Sequence, residues 1–488
     1  MTGVQTCALP IYYEVVIGLE THIQLNTQTK IFCSCKADSW EAAPNTNICP
    51  VCSGMPGVLP VLNSEAIHKG ALLAAAMHAE VNPVSYFDRK NYFYPDLPKG
   101  YQITQFDEPI GKGGYLDLHM PDGATRRVRI HKLHLEEDAG KTKLDHGMRL
   151  VDFNRCGVPL VEMVTEPDLR SGEEAAQYLV QLRQLLRWIG VSEADMERGH
   201  LRCDANVSIR ERGSQVLNTK TEIKNVNSID AVRQAIIEES KRQIELVESG
   251  ERVISYTIDW DADTGKLSMM RSKETEADYR YFREPDLLPV VLTEEEIASI
   301  KAELPELPLA RKARFEAEYE LSAYDAEILT AERGLSNYFE AAVASFGGEA
   351  KTVSNWMMND LSRLMNDLGK SASELVLTPA FLAQIIRMVE DGKITAATGK
   401  SLLRKVEESG RKPAEVVEAE GLAVIADSDA LRAQIQAVLA GATAEVESFR
   451  AGKESLLGWF VGQVMRATGG KADPKRTREI LLELLRQK

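Results

Sequence analysis

Long apolar runs are missing from this 488-residue chain. No stretch approaches the roughly 20 apolar residues that a bilayer crossing requires, so no membrane span is expected. No hydrophobic signal core follows a basic start, and no Arg-rich, acid-poor leader is present, which predicts a cytoplasmic protein. Positive charge is short as well. Lys and Arg total 58 against 73 Asp and Glu, a net charge of −15. That balance excludes a general polyanion binder, because non-specific nucleic-acid affinity comes from neutralised phosphates. No G-x-x-x-x-G-K-[ST] phosphate loop occurs, and Gly111-Lys-Gly-Gly114 is too generic to stand in for one. H-E-x-x-H and G-x-S-x-G are absent too, which removes the commonest zinc-protease and nucleophile-elbow chemistries.

What remains is an ordinary globular composition, 44% hydrophobic and 27% charged, with length enough for two to four domains. Cysteine is scarce but clustered. Four of the seven fall in one window, Cys33-Ser-Cys35 and Cys49-Pro-Val-Cys52. Four thiolates on two tight turns suit a tetrahedral Zn2+ with no open position, so structural zinc is favoured over free thiols or redox chemistry. Cys156 and Cys203 read as isolated small apolar residues. Met1 to Ile11, with Cys7, show no periodicity and read as a non-native segment.

The predicted fold class is α+β. From residue 12 to about 294 strands mix with a few helices, and beyond that point only helical patterns remain. In the first strand, Tyr13 to Leu25, Tyr13, Val15, Ile17 and Leu19 share one face. Glu14, Val16, Gly18, Glu20, His22 and Gln24 share the other, and Gly18 suggests a close approach there. Helices are expected from Asn63 or Ser64 to Ala79, after a capping box Ser171-Gly-Glu-Glu174, and from about Ser228 to Ser249. Strands are expected over Arg127 to Asp138 with a register change near Lys132, over Leu201 to Arg210, and over Gln215 to Asn225. Thr378-Pro379 and Asp473-Pro474 open late helices.

Strand alternation gathers polar groups. His134, Glu136 and Asp138 project together; so do Asp204, Asn206 and Ser208, and Lys220, Glu222 and Lys224. Solvated faces give the same pattern. Glu162 does not fit that explanation, since it stands alone in the apolar run Val158 to Val164, where an unpaired carboxylate is costly. With Glu20 and His22 the set is rich in carboxylates and poor in histidine, which suits Mg2+ or Mn2+. Mg2+ usually works with substrate phosphates, whose charge Lys90, Lys220 and Lys224 could balance. The residues alone lead to a metal-dependent, phosphate-handling site of unknown substrate. Near the C-terminus Arg450, Lys453, Arg466, Lys471, Lys475, Arg476, Arg478, Arg486 and Lys488 form a local basic excess.

Several words of the sequence belong together: Val16-Ile-Gly-Leu-Glu-Thr-His22, Phe87-Asp-Arg-Lys-Asn-Tyr-Phe-Tyr-Pro-Asp96, His134-Leu-Glu-Glu-Asp-Ala-Gly-Lys141, Glu166-Pro-Asp168, Leu201-Arg-Cys-Asp-Ala-Asn206 and Asp278-Tyr-Arg-Tyr-Phe-Arg-Glu-Pro-Asp286. With them the chain resembles the B subunits of the glutamyl/aspartyl-tRNA amidotransferases, closely over the first 290 residues. Further on the likeness is looser, through Ser354-Asn-Trp356 and Gly458-Trp-Phe-Val-Gly-Gln463.

The resemblance implies a ligase that uses ATP and Mg2+ to phosphorylate the side-chain carboxylate of misacylated Glu-tRNA(Gln) or Asp-tRNA(Asn). Ammonia from a separate amidase (glutaminase), the A subunit, then displaces the phosphate, and a small C subunit clasps both partners. It implies Glu20, His22, Glu136 and Glu162 around Mg2+, with Asp204 as a metal or nucleotide contact. Glu137 and Lys90 are further catalytic nominations, and Asn206, Ser208, Glu222 and Lys224 are cofactor-binding ones. Cys33, Cys35, Cys49 and Cys52 match the zinc-bearing members. The implied architecture is a catalytic body on a largely antiparallel sheet over 12–294, a helical linker over 295–372 and a YqeY-like, tRNA-binding tail over 373–488. A zinc-stabilised tRNA-binding scaffold without its own catalytic site is the alternative.

Overall fold

The computed structural model describes residues 12–262, 264–272, 276–425 and 428–486. The segment 1–11, with Cys7, and the terminal Lys488 lie outside the described residues. The chain divides into two compact units that meet in sequence at Leu307 and Pro308.

The first unit is built on one large sheet. In chain order its main elements begin with β1 (Tyr13–Gln24), α1 (Ser64–Ala76), β2 (Asp88–Asn91), β3 (Tyr101–Thr104), β4 (Thr125–Glu137) and β5 (Pro159–Thr165). There follow α2 (Gly172–Trp188), β6 (Leu201–Glu211), β7 (Thr221–Val226), α3 (Ile229–Glu248), β8 (Tyr256–Asp261), β9 (Lys266–Ser272), β10 (Phe282–Arg283) and α4 (Glu294–Ala302). The strands lie in the order β9-β8-β7-β6-β1-β5-β4-β3-β2-β10, with three short strands branching from the β4 side. Every pair along this path is antiparallel except β7–β8. The expected α+β class is what the chain adopts.

Alternation decides the layers. Val15, Ile17, Leu19, Thr21 and Ile23 of β1 are buried beneath α1, α2 and α3 in one hydrophobic core. The opposite face, with Glu20, His22 and Gln24, is left half-buried, and Glu20 and His22 open to a cavity. α1 lies low on the sheet because Gly70 has no side chain; a Cβ there would stand 3.1 Å from the Leu135 methyl. Gly18 differs from its expectation. A Cβ at that position would sit 3.7 Å from the nearest atom, so crowding does not demand glycine.

Local signals hold with adjustments. Asn63 caps α1 and Ser228 caps α3. Ser171 accepts from the Glu174 N–H at 3.1 Å, but the reciprocal half of the box is missing. The Glu174 carboxylate instead accepts from the Arg170 N–H and pairs with Arg126, so the expected capping box is only half formed. The register change comes at His131, where Val164 faces Lys132 while Thr165 faces Ile130. The strand expected from Gln215 begins only at Thr221. Gln215 to Lys220 are exposed, and Asn218 ties back to the Ile209 carbonyl instead of pairing.

The second unit is helical throughout its described residues, with α5 (Pro379–Glu390), α6 (Ala396–Ser409) and α7 (Pro474–Arg486) among its elements. Thr378 and Asp473 cap α5 and α7, each just before a proline in the first turn. One apolar cluster runs from Phe315 to Val417 and a second from Leu431 to Leu485. Among the described residues no helix is long and apolar enough to cross a membrane.

Candidate active site and thiolate cluster

Sheet register assembles the site. Residues directly opposite on antiparallel strands bring their side chains within about 4.5–5.5 Å of one another. One row across the sheet reads Arg202, His22, Glu162, His134 on β6, β1, β5 and β4. The row on one side reads Asp204, Glu20, Val164, Lys132, and on the other Gln24, Leu160, Glu136. Residues separated by more than 180 positions become neighbours through register alone.

The distances are short. His22 Nε2 lies 3.5 Å from Glu162, 3.8 Å from Glu136 and 3.8 Å from Glu20. His134 Nε2 stands 3.2 Å from Glu162, so the carboxylate that looked unpaired in an apolar run is held between two imidazoles. Thr104 donates to Glu136 at 3.3 Å. Repulsion from Glu162, with burial, raises Glu20 to about 7. Burial works against a charged His22, but the hydrogen bond and charge of Glu162, with Glu136 and Glu20, raise it to about 9. Burial opposes a charged Glu162, and the two histidines outweigh it, holding that carboxyl well below its ordinary range.

The two histidines and three glutamates line a cavity of about 510 Å3. Its wall carries Lys90, whose ammonium stands 4.8 Å over the Tyr279 ring, together with Tyr92, Phe106 and Tyr281. Lys224 also lines it and reaches Asp204 at 2.5 Å. Burial opposes both ammonium charges, yet the facing carboxylates keep Lys90 and Lys224 firmly protonated.

The predicted residues divide clearly. Glu20, His22, Lys90, Glu136, Glu162, Glu222 and Lys224 line this cavity, and Asp204 comes together with Glu20 and His22. Glu137 does not, because alternation turns it to the other side of β4. There it accepts from the Ile103 N–H at 2.9 Å and pairs with Lys99. Asn206 and Ser208 lie farther along β6, opposite Gly18 and Val16, and Ser208 is buried. Lys220 lies outside the strand and is exposed. Sequence reasoning gave no role to Arg202, Tyr92, Tyr279 or Tyr281. The tyrosine alternation within Asp278-Tyr-Arg-Tyr281 was the available signal for two of them.

The donor sets can be tested for metal fit. Glu20, His22 and Asp204 offer ligand atoms within 4.8 Å of one another, and so do His22, Glu136 and Glu162. Ligands on one hard cation at about 2.0–2.1 Å stand about 3–4 Å apart, so oxygen-rich sets at this spacing fit such an ion with little movement. Cys33, Cys35, Cys49 and Cys52 form a third set. The Cys49 and Cys52 sulfurs are 3.8 Å apart, close to the edge of a tetrahedron with bonds of about 2.3 Å. Hydrogen bonds from Cys33 and the Cys49 N–H, with Lys30 nearby, lower the Cys52 thiol to about 4. This cluster could hold a metal ion.

Residues 15–298 match the family described as the GatB/GatE catalytic domain, and residues 337–485 match the one described as the GatB domain. Catalytic body and helical module together define a GatB-type protein. The B subunit of the aspartyl/glutamyl-tRNA(Asn/Gln) amidotransferase of Thermodesulfovibrio yellowstonii is 49% identical over 476 residues, covering 97% of this chain and all of its own. The proteins of the same name from Persephonella marina and Synechocystis are 46% and 47% identical, each over 97% of this chain and 100% and 98% of their own lengths. The chain belongs to the family of aspartyl/glutamyl-tRNA(Asn/Gln) amidotransferase B subunits.

Proposed function

We propose that the chain is the B subunit of an ATP-dependent aminoacyl-tRNA amidotransferase, and that the cavity around His22 is its kinase and amidation site. Its substrates are Glu-tRNA(Gln), Asp-tRNA(Asn) or both. Its partners are the amidase of the same complex, which is the A subunit, together with the small C subunit. The observation that carries the reading is the convergence of Glu20, His22, Glu136 and Glu162 beneath Lys90 and Lys224 in one cavity.

The chemistry needs such a place. A carboxylate is a poor acyl donor. Transfer of the terminal phosphoryl group of ATP to one of its oxygens gives ADP and an acyl phosphate. The ammonia lone pair then attacks the acyl carbon, the carbon–oxygen bond to phosphate breaks, and the nitrogen passes its extra proton to the departing phosphate. Glu20, His22, Glu136 and Glu162 would hold Mg2+, with Asp204 as a metal or nucleotide contact. Bound there, Mg2+ offsets charge on phosphoryl oxygens. Lys90 and Lys224 place further positive charge beside those oxygens, and the tyrosine wall narrows access for water. The thiolate quartet is assigned to structural Zn2+, away from the reacting atoms.

We assign 12–294 to catalysis, 295–372 to a helical linker and 373–488 to a tRNA-binding tail. In the latter, Arg450, Lys453, Arg466, Lys475, Arg476, Arg478 and Arg486 are exposed. Glu136→Gln in the reconstituted complex tests the central assignment. Amide formation should fall by about 100-fold or more, while the amidase still hydrolyses glutamine. Gln-tRNA formation at the wild-type rate would defeat the kinase reading.

A further inference from the structure

Arg202 stands at the end of the His22 row and has no part in the mechanism above. It faces His22 across the β1–β6 pair and lines the same cavity. Its Nη2 donates to Asp138 at 3.0 Å. Asp138 is 3% exposed, accepts from Gln24 Nε2 at 2.8 Å, and has Arg155 Nε 3.5 Å away. Both oxygens of that carboxylate are therefore engaged, and one nitrogen of the guanidinium is held in place.

The remaining donors are unspent. Arg202 Nη1 makes no hydrogen bond among the described residues, and Nε is buried without a partner. Arg202 makes its ion pair with Asp138, and neither Glu136 nor Asp204 comes within 4 Å of it. The same side chain is 35% exposed toward the cavity, so a ligand can reach the outer nitrogen. With Nη2 held by Asp138 and Nε buried, the tip of the planar fork, Nη1 and the second hydrogen of Nη2, is left to face two oxygens of one phosphoryl group, which a lysine point charge does not match.

We propose that Arg202 contacts the phosphoryl group in transit from nucleotide to carboxylate, and that Asp138 is the positioning residue that aims it. This rests on the kinase reading. The probe is ADP with aluminium fluoride and Mg2+, a stand-in for the transferring group, bound to the full complex in the presence of misacylated tRNA.

Arg202→Lys should leave ADP affinity within about twofold, weaken retention of ADP–aluminium fluoride at least tenfold, and lower kcat by about 100- to 1,000-fold with little change in KM for ATP. Asp138→Asn should weaken retention of the analogue in the same sense without moving ADP affinity. Melting curves of both variants verify that they fold. Retention by Arg202→Lys equal to wild type overturns the proposal. So does a defect that excess Mg2+ restores, because the residue would then only balance charge. Failure of the wild-type complex itself to retain the analogue removes the kinase reading, which separates the two ideas.

Discussion

Glu136 and Glu137 are adjacent in sequence and opposite in fate. Period-2 alternation places one in the cavity and the other against the Ile103 N–H on the far side. That split was legible from spacing alone, which puts Glu137 on the face away from Glu136. Glu20 with His22, and Glu162 in its apolar run, were legible because polarity stood out against a buried pattern. Arg202 was not, because its position depends on which residue of β6 faces His22, and pairing register is invisible in one strand. The Cys quartet was fully readable from spacing. Cys49→Ser should lower bound zinc to a small fraction of the wild-type content, by metal analysis of the purified complex. Full zinc content with unchanged melting would refute the assignment.

Among elements, caps travelled well from sequence to structure because they are local: Asn63, Thr378 and Asp473 each bond within three residues. The strand expected from Gln215 failed because its start depends on a partner strand. Gly114 shows a constraint no local pattern reveals. Its φ is +100°, and a Cβ there would lie 2.5 Å from the Met77 carbonyl oxygen. Gly114→Ala should therefore cost about 2 kcal/mol or more, read as a lowered denaturant midpoint.

In the helical unit Glu407 of α6 is buried, accepting from Lys370 at 2.8 Å and from the Leu377 N–H at 2.7 Å. Burial opposes its charge, but Lys370 and the backbone donors hold its pKa below the ordinary value. A depressed folded pKa contributes stability that is present above the unfolded value and lost as pH falls through the folded one. Glu407→Gln should cost about 1–3 kcal/mol at neutral pH. It should also flatten the loss of stability below about pH 4.5. An unchanged acid limb in urea titrations at several pH values would count against this.

At the scale of the whole molecule, the change from mixed to purely helical texture near residue 294 was visible in composition. The packing units were not, because contacts decide them. α4 lies beyond that change yet packs on α1, with Ile300 in the first core. A cut at 372 would pass through the apolar cluster that runs from Phe315 to Val417. Removal of the residues after Leu422 spares that cluster and takes away only the second helical core with its basic surface. Such a truncation should leave zinc content unchanged. It should also weaken tRNA binding and flatten its dependence on salt, since released phosphate contacts set that slope. Equal affinity and equal salt slope would locate the tRNA surface elsewhere.

The pairing of β1 on both edges has one more consequence. It is bonded to β6 over eleven residue pairs and to β5 over five. Losing a single residue before Glu20 would turn every later side chain over. Glu20 and His22 would enter the layer beneath the helices, and Leu19, Thr21 and Ile23 would face the cavity. A substitution in this strand can therefore remove one function at a time, while a change in its length removes the site and the core together.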